Sequence, residues 1–169
     1  EEWVLSQVGR EIYETFIRGY TCKQWMRDPR ELPADIIKRI PIRLTFDDNY
    51  YTHPHQGVPR GGYTRMILRM LDGIEVRLSA DFFEDRGHWE RAAKPTVFSG
   101  RIDDFFDHCF GELEYRTLDF ETTLHEDVHD FQGNAVINYT ELEVPHTRII
   151  EHKHFEFNGV PHTVVTREY

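Results

Sequence analysis

The feature that most constrains the fold of this chain lies in its last third. From residue 113 onward, four runs rich in β-branched and aromatic residues follow one another, at 113–123, 135–140, 147–157 and 162–169. Turn signals separate them: Gly133-Asn134, Val144-Pro145 and Asn158-Gly159. Asn-Gly between two alternating runs is a strong hairpin signal, because the tight turn needs positive φ at its centre. Strands joined by such short turns pair antiparallel, so this segment predicts an antiparallel sheet.

The residues before it carry other periods. Val4, Val8, Ile12 and Phe16 recur every four positions, with Leu5 and Ile17 widening the stripe, which predicts a helix over 3–19 with Gly19 as its stop. Pro29 and Pro33 break the stretch that follows, leaving room for a turn of helix over 34–39 that Pro41 ends. Ile42, Leu44 and Phe46 alternate with Arg43 and Thr45 as in a strand with one wet face. A long loop over 47–62 precedes a helix over 63–71, a strand over 74–78 and an unpatterned stretch over 81–94. A short strand over 96–98 runs into Ser99-Gly100, and an aromatic helix over 102–110 is capped by Gly111. The fold class is therefore α+β: a helical lead-in, a small mixed segment, then a mainly antiparallel β-sheet. The division falls near residue 40, with 1–40 as the lead-in and 41–169 as the mixed segment and sheet.

Composition removes several functions. At 169 residues the chain is one domain or slightly more, long enough for a real core. A net charge of −10 argues against nucleic acid and anionic membranes as partners, so an anionic ligand would need local arginines working against the overall field. Cys22 and Cys109 are far apart with no pairing pattern, which suggests a reducing compartment, and no apolar run reaches membrane-spanning length. The expectation is a cytoplasmic protein. The start at Glu1 without Met and the end at Tyr169 inside a strand-like run predict a piece of a longer protein.

Several chemistries can be weighed from spacing alone. Ten histidines make metal worth asking about. On a strand over 147–157, His152 and His154 would share one face and Glu151 and Lys153 the other, with more ligands at His125 to His129. No HExxH or Cys/His spacing is present, so the metal expectation is none. There is no Gly-x-Ser-x-Gly, and neither cysteine has a local histidine partner. Gly57, Gly61 and Gly62 do not spell a phosphate-cradling loop, so an anion would have to be held by arginine. Arg39, Arg116 and Arg148 stand out by context, and each could equally be a solvated strand charge. Tyr20 and Trp25, in Gly19-Tyr20-Thr21-Cys22-Lys23-Gln24-Trp25, are either helix-end core residues or flat rings for a base to stack on.

Longer motifs decide between these. Gly-Arg-Glu-Ile-Tyr-Glu-Thr-Phe-Ile-Arg-Gly-Tyr-Thr at 9–21, Lys-Gln-Trp at 23–25, Glu-Leu-Pro-Ala at 31–34 and Ile-Ile-Lys-Arg-Ile-Pro-Ile-Arg at 36–43 occur in order. Gln-Gly-Val-Pro-Arg-Gly-Gly-Tyr-Thr at 56–64, Leu-Glu-Tyr-Arg-Thr-Leu at 113–118, Asn-Tyr-Thr at 138–140 and Thr-Arg-Ile-Ile-Glu-His-Lys-His-Phe at 147–155 complete the set. Along essentially its whole length the chain resembles the middle of the prokaryotic UDP-galactopyranose mutases.

The resemblance implies a flavin-dependent isomerase of galactofuranose biosynthesis for cell-envelope polysaccharide. Reduced FAD would serve the interconversion of UDP-galactopyranose and UDP-galactofuranose with no net electron transfer. Tyr20, Thr21 and Trp25 match the uridine-binding segment, Arg39 the arginine of a mobile loop that closes on the diphosphate, and Arg148 the second diphosphate arginine. Tyr50 and Asn138 match substrate-contacting positions, and Arg116 an arginine near the active site. Val76 and the Ser99-Gly100 turn match a strand and loop that touch FAD through the backbone, within a stretch at 73–111 whose strands would lean on the flavin-binding domain. Ser99 stands where Thr is usual, Met26 where Gly often follows the tryptophan, and Tyr51 where Phe is often seen.

Nothing in the chain matches the GxGxxG of that domain, nor the later tyrosines and arginine that finish the site. The expectation is a substrate-side portion with no catalytic residue of its own, inactive and binding no FAD alone. Two further readings stay open: a non-catalytic UDP- or sugar-binding module, and a piece that self-associates through an exposed apolar face. A relative acting on another nucleotide sugar also fits.

Overall fold

The computed structural model describes residues 1–33, 35–38, 42–47, 49, 51–157 and 159–169, with backbone alone at 37. Arg39 and Tyr50, and the Asn158 of the expected hairpin turn, lie outside the described residues. The chain forms two units, 1–58 with 116–169, and 59–115.

The first unit opens on helix. α1 (Glu2–Ile12) is interrupted at Gly9, whose φ of 77° and ψ of 172° only glycine adopts without strain. A π-helical stretch, Tyr13–Arg18, leads directly into α2 (Gly19–Trp25). Gly19 is thus not the stop the sequence suggested: its φ is −62° and the helix runs through it. Its role is close approach, because a Cβ there would overlap the Thr140 carbonyl oxygen. The helix ends instead at Met26, in the left-handed conformation at φ 52°. A 3-10 turn, Pro29–Glu31, follows, capped by the Asp28 side chain on Arg30 N, and then α3 (Asp35–Lys38).

The second unit holds three helices: α4 (Gly62–Met70), α5 (Arg86–Ala92) and α6 (Ile102–Phe105). α5 falls where no pattern was seen. Its signal was the Asp85 side chain, which accepts from His88 N in an N-cap. Half-buried Phe82, Phe98 and Phe105 cluster with the exposed Phe83, with ring centroids 5.1–6.2 Å apart and the Arg86 guanidinium 4.2 Å above Phe105.

The strands expected at 42–46, 74–78 and 96–98 do not form. Alternation supplies one wet and one dry face, but a strand also needs a neighbour to take its N–H and C=O groups. None of these segments has one among the described residues, and Leu44, Phe46, Leu78 and Val97 are almost wholly exposed. The helix expected over 102–110 ends after one turn, because Asp107 and His108 take positive φ.

The sheet closes the first unit, as the four β-rich runs required. β1 (Phe120–His125), β2 (Val136–Asn138), β3 (Arg148–Glu151) and β4 (Thr163–Glu168) are all antiparallel, in the order β1-β4-β3-β2. Each is shorter than its run. β3 stops at Glu151, and 152–154 turn into a 3-10 helix, so His152 and His154 do not share a strand face. That turn aims Lys153 inward, where its ammonium donates to the carbonyls of His129, Val160 and His162. Ile149 and Val165 are buried in the sheet beside a polar set, Thr147, Glu151, Thr163, Thr166 and Glu168. No helix among the described residues is long and apolar enough to cross a membrane.

Candidate functional site: an arginine bridged to a helix

Register builds the site. Arg148 on β3 lies opposite Glu168 on β4 and opposite Asn138 on β2, and Glu168 lies opposite Phe120 on β1. Opposed residues of antiparallel strands share a face, so Phe120, Glu168, Arg148 and Asn138 form one row across the sheet. α2 reaches this row: Arg148 Nη2 donates to the Tyr20 hydroxyl at 2.5 Å.

Two contacts hold α2 there. Gly19 lets the helix backbone come against Thr140. One turn on, Lys23 Nζ donates to the carbonyls of Tyr139 (2.8 Å), Val144 (3.1 Å) and His146 (2.9 Å), tying the helix to the β2–β3 connection. Burial pushes the Lys23 ammonium below its usual pKa, against the opposing pull of Glu141 and Glu143. His146 is likewise lowered, by burial first and then by the Arg167 and Lys23 charges, which favours the neutral ring against Tyr139 and Tyr169.

The expected residues among those described divide into four groups. Tyr20 and Arg148 touch, and Asn138 is exposed beside Arg148. Thr21 and Trp25 share one face of α2, four residues apart; Thr21 is buried and Trp25 half-buried. Arg116 is exposed ahead of β1, with no contact that ties it to the Tyr20–Arg148 pair. Val76, Ser99 and Gly100 belong to the second unit, in exposed irregular segments. A Cβ at Gly100 would collide with the Phe98 ring, so ring packing already accounts for that glycine. Among the described residues no strand presents the backbone of these three.

Three contributors were not singled out from sequence. Glu168 is buried and its Oε1 lies 3.0 Å from Arg148 Nε, an ion pair without hydrogen-bond alignment. Thr147 donates its hydroxyl to the same oxygen at 2.9 Å or to the Glu168 carbonyl at 3.0 Å. Lys23 stood inside the aromatic segment but carried no assigned role. Only register could have paired Glu168 with Arg148.

The histidine cluster is structural in character. Asp130, Glu151 and His154 have ligand atoms within 4.8 Å of one another. The Glu151 carboxylate already accepts from Phe131 N (2.9 Å), Gln132 N (2.9 Å) and the Thr163 hydroxyl (2.6 Å), with His154 Nε2 at 3.3 Å. Its lone pairs are spent on the fold.

The first unit of this α+β chain thus presents an arginine and a tyrosine joined across a helix–sheet boundary, with an aromatic at the helix end. A profile of the UDP-galactopyranose mutase family matches residues 15–169, and the chain belongs to that family. It is 48% identical over 92% of its length to a "Probable UDP-galactopyranose mutase" of Klebsiella pneumoniae, covering 40% of that protein. It is 42% identical over 92% of its length to a dTDP-fucopyranose mutase of Escherichia coli, covering 42% of it. A UDP-galactopyranose mutase of Mycoplasma pneumoniae is 31% identical over 83% of the chain, which covers 37% of that protein. The chain therefore spans about two fifths of the length of the curated relatives it matches.

Proposed function

We propose that this chain is the nucleotide-sugar-binding portion of a UDP-galactopyranose mutase, an isomerase that interconverts UDP-galactopyranose and UDP-galactofuranose. The observation that carries it is the Tyr20–Arg148 bridge, which puts a guanidinium and a phenol ring on one surface. Arg148 would take the diphosphate through its Nη atoms. Tyr20 and Trp25 would stack the uracil, with Thr21 nearby, and Asn138 beside Arg148 would accept or donate to the sugar. Arg39, matched by the resemblance to an arginine that closes on the diphosphate, would join Arg148 there, Tyr50 would contact the substrate, and Arg116 would lie near the active site. Such a set binds and orients a substrate and leaves the bond-making to a cofactor. Reduced FAD, which the family resemblance assigns to the reaction, would be held mainly by the rest of a longer cytoplasmic protein, with 73–111 facing it.

A titration of the chain with UDP, followed by tryptophan fluorescence and calorimetry, tests the assignment. Saturable binding that Trp25→Phe removes from the fluorescence signal, with Arg148→Ala weakening UDP more than uridine, is expected. A folded chain that takes up no UDP at millimolar concentration would refute it.

A second reading has its own support in the 42% identity to a dTDP-fucopyranose mutase. The diphosphate machinery would be the same and the base pocket would admit a 5-methyl group. Parallel titrations with UDP and dTDP separate the two: the tighter ligand names the base.

A further inference from the structure

Glu168 is the buried carboxylate behind the arginine of the candidate site. We propose that Glu168 is a positioning residue that turns the Arg148 guanidinium so that its Nη atoms face the diphosphate of a nucleotide ligand; this rests on the nucleotide-binding reading above.

The carboxylate is itself fixed. Glu168 is 5% exposed, and its Oε1 lies 2.9 Å from the Thr147 hydroxyl, which donates to it or to the Glu168 carbonyl at 3.0 Å, on a residue only 1% exposed. The Thr147 backbone N–H also donates to the Glu168 carbonyl at 2.7 Å, so residue 168 is held at both ends. That fixed oxygen stands 3.0 Å from Arg148 Nε, on the edge of the guanidinium away from its tip. Tyr20 takes one Nη2 hydrogen. A guanidinium has five N–H donors, and the remaining Nη hydrogens have no partner among the described residues. Those are the donors whose spacing matches a phosphate.

Charge makes the geometric role specific. The chain already carries a net charge of −10, and a carboxylate beside an anion site works against affinity. Burying it also costs desolvation that an apolar side chain would avoid. Attraction to the ligand therefore cannot be its contribution, whereas fixing a long, flexible arginine can be. The two effects have opposite signs on replacement. Glu168→Gln keeps an acceptor at the same place and removes the repulsion. Glu168→Ala removes both.

The test compares wild type, Glu168→Ala, Glu168→Gln and Arg148→Ala in the full chain, with UDP and with uridine. The NMR signal of the Arg148 Nε–Hε group reports the guanidinium without ligand. Positioning predicts that Glu168→Ala weakens UDP about tenfold, leaves uridine unchanged and broadens the Nε–Hε signal. Glu168→Gln keeps the signal sharp and binds UDP as tightly as wild type or more tightly. If Glu168→Ala unfolds, Thr147→Val takes its place, with the same expected loss for UDP and not for uridine. UDP binding that is unchanged or tighter in Glu168→Ala overturns the proposal, and so does an equal loss for UDP and uridine. Should Arg148→Ala also leave UDP unaffected, the nucleotide-binding reading itself has failed; should Arg148→Ala weaken UDP while Glu168→Ala does not, only the positioning role has.

Discussion

The Tyr20 hydroxyl accepts from Arg148 Nη2, joining a helix to a strand 128 residues further along the chain. The bond has consequences for both partners. It restrains a guanidinium that is still partly open to solvent, and it fixes the tilt of a ring that could stack on a base. Tyr20→Phe keeps the ring and deletes the acceptor. UDP should weaken three- to tenfold, the scale of one charge-assisted hydrogen bond in a partly wet site, while uridine holds. Calorimetry with both ligands checks this. Equal UDP affinities for wild type and Tyr20→Phe would take the hydroxyl out of the site.

Gly19 permits that bond. Because its Cα faces the Thr140 carbonyl, Gly19→Ala forces α2 away from the β2–β3 connection. Backbone, unlike a side-chain tip, cannot swing aside. Alanine would raise helix propensity by about 1 kcal/mol, yet overpacking of this kind costs about 1–3 kcal/mol. The expected result is a lower Tm together with weaker UDP binding, since Tyr20, Thr21 and Trp25 all ride on α2. A Tm that rises would show that propensity wins and that the approach is loose.

How much of this was legible in the sequence depends on which residues needed a partner. The last three β-rich runs pair in chain order, β2 with β3 and β3 with β4, as their turn signals suggested, whereas β1 pairs with β4 and not with β2, a long-range choice that no turn signal carries. The α4 stripe around Met66, Ile67 and Met70 was also self-sufficient. Residues 74–78 alternate as well as 163–168 do, but alternation says nothing about who lies alongside, and among the described residues no strand does. Gly19 illustrates a second limit: a glycine after an apolar stripe looks the same whether it ends a helix or admits a carbonyl. Tyr20 and Arg148 were singled out by type, and the structure brings them together. Glu168 was invisible, because an acidic residue near the end of a strand reads as solvated until register sets it beside an arginine.

Glu151 makes stability depend on acid. It is fully buried. Burial alone would raise its pKa, but the Thr163 hydroxyl, the Phe131 and Gln132 N–H groups and His154 outweigh that and hold it at about 2. Its unfolded value is 4.5, so the folded pKa is depressed. The carboxylate's contribution is therefore fully present above about 4.5 and is lost as pH falls toward 2. Thermal melts should show Tm dropping across that window in wild type. Glu151→Gln, which keeps one acceptor oxygen but sets an NH2 donor against one of the two backbone N–H groups, should cost about 2–3 kcal/mol at neutral pH and flatten the acid slope. An unchanged slope in Glu151→Gln would assign the acid sensitivity to other carboxylates.

Met26 offers the opposite kind of change. It ends α2 at φ 52° and ψ 34°, where an L side chain crowds the following carbonyl, at about 1 kcal/mol. Its side chain is 70% exposed, so little packing is lost when it goes. Glycine adopts the same dihedrals freely, although its unfolded chain is more flexible, which returns part of the gain. Met26→Gly should therefore raise stability by about 0.5 kcal/mol and leave UDP affinity alone, since the turn after Trp25 keeps its shape. Chemical denaturation with a matched m-value reads the first, and a UDP titration the second. A loss of stability would mean that the methionine packs on the aromatic segment in solution, and its replacement would then be expected to loosen Trp25 as well.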